Sequence, residues 1–393
     1  MKELIRMIQS ELEDYSGDFM PDFSHELLTR ETLAGLMRLY GRFRTVLDGS
    51  WYLVVKEVAG DETAFLCDRK VWERAINYMI KQITDSMNIK RDGVTSLMKY
   101  FQIMDGSITM KAELTSGNLG KLTIIHCPTL ESLETEGEGR ESNICRVLEA
   151  DLFRRSAALF DPRIKVRPVV LPPRKSTGDI PCQWEFALEG ENTIGISDIG
   201  DGKRVLDGKT AGMEDYSGPL IPGIRLEDFS KDALCRILMA YSRLMHRVDG
   251  VWYLTIKETM DNQTALACDK KVWSRLARYE VKLISDYFNF RDPTISSVLK
   301  FFQTHFLYMT MKHEVELQGP GQGLITTSHC PSLAALEAEG EGREAEICHQ
   351  MCTMNYQVFA DCFNPAIRSV PIIVPPRKGA DGISCQWEYR LEC

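Results

Sequence analysis

The chain of 393 residues has no basic excess: 47 Lys and Arg stand against 56 Asp and Glu, a formal charge of −9. A nucleic-acid or anionic-membrane binder gains from a basic face through counterion release or surface attraction, so neither partner is expected. No apolar run approaches the roughly 18 residues of a membrane span, and Met1–Tyr15 is too charged for a secretory signal. A cytoplasmic protein is therefore expected. Its 12 cysteines fall far short of the roughly 8–10% of a disulfide scaffold, so they are read as thiols. The usual catalytic signatures are also missing: no GxSxG elbow, no GxxxxGK[ST] phosphate loop, no GxGxxG after a strand and no HExxH helix. These absences weigh against nucleotide chemistry.

What the chain does have is a duplication. Laid on Asp249–Asn289 at an offset of 201, Asp48–Asn88 is identical at 20 of 41 positions, with DGSWYLVVKE against DGVWYLTIKE and CDRKVWER against CDKKVWSR. The match begins at EDYSG, Glu13–Gly17 and Glu214–Gly218, and resumes at an offset of 203 through HCP, GEGRE, PPRK and CQWE. A period this long exceeds a solenoid repeat of roughly 20–50 residues, so each copy is itself a domain. The expected division is 1–189, a Gly- and Asp-rich linker over 190–213, and 214–393. Two fused copies are expected to pack as a pseudo-twofold pair, an intrachain pseudo-dimer. With 44% hydrophobic residues, each copy has ample material for a core.

Within a copy, apolar spacing predicts helices over 33–47 and 69–87, the second capped by Asp68. A hairpin is expected over 107–113 and 122–126, a helix over 143–160, and strands over 164–171 and 183–188. Each copy is thus α+β, a small antiparallel sheet covered by helices.

The sharpest constellation is His126, Cys127, Cys145 and Cys182, repeated as His329, Cys330, Cys348 and Cys385. Thiolate and imidazole suit zinc and iron: four such ligands close a structural site, and three leave a position for water or substrate. Three cysteines with a histidine also suit an iron–sulfur centre. Reactive thiols without metal and plain core packing remain open for the same residues. Cys67 and Cys268 read as core. Cys348 and Cys352 share a helix face, which would extend the second site.

GEGRE recurs unchanged. Its glycines permit close backbone approach, so Glu138 and Glu341 are candidate proton shuttles, and Arg140 and Arg343 candidate carboxylate clamps. Arg174 and Arg377 of PPRK are held by two prolines and suit an anion. Trp184 and Trp387 of CQWE are candidate pocket walls. A structural reading stands beside each: a turn, a helix N-terminus favouring acids, a core aromatic.

The EDYSG opening, the CP and second-cysteine order, and the PPR and CQWEF ending resemble an uncharacterised prokaryotic family of cysteine-containing proteins, over most of both copies. More remotely, 127–186 and 330–389 are similar to L-2-amino-thiazoline-4-carboxylic acid hydrolases and 4-vinyl reductase domains. The resemblance implies an α+β ligand-binding fold, often dimeric, with Cys127, Cys145, Cys182 and their counterparts at or near a metal or substrate pocket. Relatives carry a cysteine before the two prolines where this chain has Leu171 and Val374, so either His126 and His329 fill the set or the site is open. The expected function is an enzyme acting on a small anionic molecule at a metal or thiolate site, with C–N bond hydrolysis as a candidate reaction. The alternatives are a noncatalytic small-ligand or metal sensor and an iron–sulfur redox protein.

Overall fold

A computed structural model describes residues 11–189, 212–377, 379 and 382–392. Most of the expected linker, 190–211, lies outside the described residues. Each copy is α+β. In the first, long helices α1 (Arg30–Ala59) and α2 (Asp61–Ser86) precede α3 (Val94–Ile103), strands β1 (Thr109–Ser116) and β2 (Leu119–His126), and α4 (Pro128–Glu136). A π-helical turn (Ile144–Leu148) then runs into α5 (Glu149–Phe160), followed by β3 (Ile164–Val170) and β4 (Cys182–Leu188). The second copy repeats this as α6 (Lys231–Thr259), α7 (Asn262–Phe288), α8 (Ile295–Thr304), β5 (Lys312–Gly319), β6 (Gln322–His329) and α9 (Pro331–Glu339). Its π turn (Cys348–Cys352), α10 (Thr353–Phe363), β7 (Ile367–Ile373) and β8 (Cys385–Leu391) complete it.

Two helix expectations need correction. Asp68 does not cap a helix: α2 begins at Asp61, and Asp68 lies inside it at 4% exposure. The expected helix over 143–160 opens as a π turn, a wider coil that admits an extra residue and is frequent at functional sites.

The sheets are antiparallel, ordered β1-β2-β4-β3 and β5-β6-β8-β7. Gly120 lets α3 press on the first sheet, since a Cβ there would come 2.8 Å from Val94 Cγ1; Gly323 does the same for α8, 2.7 Å from Ile295 Cγ2. Between helix and sheet lies an aromatic core, Phe101, Phe153 and Phe186 in the first copy and Phe301, Phe302 and Phe359 in the second.

By contact, the chain forms two compact units that interleave the copies: Met1–Thr32, Leu47–Cys67 and Met245–Cys393 in one, Leu33–Val46 and Asp68–Leu244 in the other. The EDYSG arms account for part of the interleaving, and Trp51, stacked on Trp252, for the Leu47–Cys67 segment. Tyr15 of the first copy donates to Gln303 Oε1 at 2.9 Å, and Lys300 Nζ donates to the Tyr15 carbonyl at 3.1 Å. In the other unit, Tyr216 donates to Gln102 Oε1 at 2.7 Å and Lys99 Nζ to the Tyr216 carbonyl at 3.3 Å. Each arm docks on the third helix of the opposite copy.

Candidate functional site

Sheet register gathers the cysteines. Ile124 pairs with Cys182, so the residue just past the end of β2, Cys127, falls beside the start of β4; Thr327 and Cys385 repeat the pairing beside Cys330. Cys127 then caps α4, its sulfur accepting from Leu130 N at 3.4 Å, with Pro128 at the first helical position. The π turn supplies the third thiol. Arg146 Nε donates to the Pro172 carbonyl at 2.8 Å, and His349 Nε2 lies 2.7 Å from that of Pro375, which pins each turn over the β3–β4 or β7–β8 loop. Cys127, Cys145 and Cys182 thereby line one cavity of about 70 Å³, with Trp184. Cys330, Cys348 and Cys385 line another of about 160 Å³ with Trp387, joined by Cys352 from the same π turn.

Burial sets the state of these thiols. It pushes Cys127 up to about 11, Cys182 and Cys330 to about 12, and Cys385 to about 11, and raises Cys145 further. Cys352 is raised too, by its hydrogen bond with Cys348 and then by burial. At neutral pH they are thiols, whereas the nucleophile and metal ligand is the thiolate.

The histidines do not join them. His126 and His329 are exposed at the last residue of their strands, and His126 Nε2 faces Glu131 at 3.3 Å. Strict alternation would turn His126 to the face of Ile124, but a register shift between the Thr109–His126 and Met110–Ile124 pairs breaks it, and the second copy repeats the shift before His329. Among the described residues, no three His, Cys, Asp or Glu side chains converge as a metal ion would need. The described side chains thus hold no preformed zinc or iron–sulfur arrangement.

The charged candidates also lie elsewhere. Gly137 and Gly139 (φ 70° and 73°) and Gly340 and Gly342 (φ 70° and 74°) take left-handed conformations, so they serve to end a helix and turn the chain. Glu138 is exposed, and Glu341 bonds to Lys257; neither lines a cavity. Arg140 grips Glu136 at 2.8 and 2.9 Å, while Arg343 pairs with Glu339 and sits 4.9 Å over the Tyr253 ring. Arg174 forks onto Glu134, one contact at 2.8 Å, and Arg377 onto Glu337, one at 2.7 Å, tying the Pro-Pro loops to α4 and α9. These four arginines hold the structure together, because a local carboxylate already occupies each guanidinium. The tryptophans do line the cavities, and the Nε1 of Trp184 and Trp387 is buried without a hydrogen-bonding partner.

The two copies differ at matched positions in and around the cavities, Glu280 and His313 lying behind the second cavity's lining. Where the first copy has Thr45, Met79, Met104, Met110, Ile124 and Phe153, the second has His246, Glu280, His305, His313, Thr327 and Tyr356. His305 and Glu280 are fully buried, with His305 Nε2 2.9 Å from Glu280 Oε1. Leu307 N donates to His305 Nδ1 at 3.0 Å, so the ring proton sits on Nε2, toward Glu280. His246 Nδ1 lies 2.7 Å from Thr310 Oγ1 and its Nε2 3.2 Å from Ser332 Oγ. Burial, then His305, brings His246 down to about 4, a neutral imidazole. Thr327 Oγ1 is buried with no partner. Motif reading missed this set, although the polar-for-apolar exchanges are visible in the aligned copies.

Residues 227–391, most of the second copy, match the model of a family of unknown function, DUF6125. No curated protein and no solved structure matches the chain. No helix among the described residues is long and apolar enough to cross a membrane.

Proposed function

We propose that the chain is a small-molecule-binding protein whose working site is the second-copy cavity. One observation carries this reading: around one shared architecture, polar and titratable groups replace apolar ones where the cavity is larger. A few inward polar groups on an apolar wall are the usual lining of a ligand site, and a volume of about 160 Å³, below the roughly 300–1,000 Å³ of drug-sized sites, supports a ligand of few heavy atoms. Neither cavity has an Arg or Lys in its described lining, which supports a ligand without an anionic group, unlike the substrate expected from the sequence. The free thiols support a reducing compartment such as the cytoplasm.

A catalytic use of the same cavity is the second reading, favoured by the buried His305–Glu280 contact, which offers an acid–base pair beside a bound molecule. The test of the first reading is a 19F NMR titration with 4-fluorophenol, a ring with one hydroxyl. Saturable binding at one site per chain is expected, lost in Cys385→Phe and kept in the matched Cys182→Phe, with circular dichroism confirming that both variants fold. Binding that survives Cys385→Phe, or no binding at all, would refute the assignment.

A further inference from the structure

The first copy carries an internal cation where the second has room. Arg44 reaches into the first copy's interior, its guanidinium 5.7 Å over the Trp72 ring and paired with Asp105, whose side chain is fully buried. At the matched position the second copy has Met245, which carries no charge. Trp273, the counterpart of Trp72, instead faces open volume: Trp273, Asp249 and Asp269 all line the second cavity, whereas Trp72 and Asp68 do not line the first. The added volume thus lies at the counterpart of the ring that in the first copy sits beneath a guanidinium, and beside two carboxyl groups, Asp249 and Asp269.

Building on the reading of this cavity as a ligand site, we infer that it takes a small organic cation, with the charged group held where Trp273, Asp249 and Asp269 wall the cavity. An aromatic face attracts a desolvated ammonium through its quadrupole, and a carboxylate beside it supplies the counter-charge. Asp269 is 8% exposed, and Asp249 Oδ1 accepts from Trp51 Nε1 at 2.8 Å. Burial raises both carboxyls above the usual carboxylate range, with no Arg or Lys in the described lining to hold them ionised. A bound cation supplies that charge. The partnerless Trp387 Nε1 and Thr327 Oγ1, both fully buried on the same cavity wall, are placed to bond a hydroxyl or carbonyl on the ligand's uncharged end.

The test uses the full chain and two probes of one shape, choline and its uncharged carbon analogue 3,3-dimethylbutan-1-ol, titrated by calorimetry. Choline is expected to bind at one site per chain, at least about tenfold more tightly than the alcohol. Asp269→Asn should remove that preference and leave the alcohol's affinity unchanged. Met245→Arg, which installs the first copy's own cation, should abolish choline binding. Equal affinities for the two probes would overturn the inference while leaving the ligand-site reading intact. Failure of both probes where 4-fluorophenol binds would also overturn it, and failure of all three would remove the site itself.

Discussion

Replacing Arg44 by Met makes the first copy resemble the second at one position and exposes what the internal cation does. The Asp105 side chain is fully buried and Arg44 is 14% exposed, so the carboxylate has little water to fall back on. Its Oδ1 keeps two donors, Ser107 N and Ser107 Oγ, each at 2.7 Å, while Oδ2 loses the guanidinium. Methionine fills much of the arginine stem, so the packing loss is small. Removing one partner of a buried pair strands the other charge, at a cost of about 3–5 kcal/mol. Arg44→Met with Asp105→Asn keeps the Ser107 bonds and removes the stranded charge, so the double variant should cost less than the single, about 1–3 kcal/mol for an unsatisfied amide. Urea unfolding followed by circular dichroism and tryptophan fluorescence measures all three proteins. A loss below about 1 kcal/mol for Arg44→Met, or a double variant no more stable than the single, would refute the view that this pair is a charge-compensated interior site.

Two further predictions concern titration. His246 has a folded pKa of about 4, below the ordinary 6.5, so the unfolded chain binds the proton more readily between those values. Its contribution is present above pH 6.5 and is lost as pH falls toward 4, by up to about 3 kcal/mol. His246→Thr, the first copy's residue, should flatten that part of the stability–pH curve, and an unchanged curve would contradict the assignment. The cavity thiols should alkylate slowly with iodoacetamide at pH 8, with rates rising about tenfold per pH unit toward 11, because burial keeps the thiolate fraction small. Rapid labelling of Cys330 or Cys385 at pH 7 would instead reveal an activated nucleophile.

The α+β class and the repeat were legible because both rest on periodicity and on residues recurring at a fixed offset. The convergence of Cys127, Cys145 and Cys182 was legible too, since recurrence marked them and strand register brought them together. The direction of side chains was not. His126 sits two residues beyond Ile124, past a register shift that turns it out of the cavity, and the GEGR glycines turn out to serve left-handed positions between two helices. Arg174 and Arg377 find carboxylates 40 residues earlier in the chain, a pairing that neither spacing nor composition reveals. The helix start at Asp61 was masked by the N-cap character of Asp68, and the π turn has no residue signature of its own. The most informative signal lay in the differences between copies, such as Met79 against Glu280 and Met104 against His305, which a search for shared motifs passes over.

Methionine methyls report directly on which cavity works: Met311 and Met351 line the second, Met104 and Met110 the first. With 13C-methyl methionine in the full chain and choline or 4-fluorophenol as the probe, the Met311 and Met351 resonances should shift saturably while those of Met104 and Met110 stay in place. Shifts confined to Met104 and Met110, or none at any of the four, would contradict the claim that the second copy holds the ligand site.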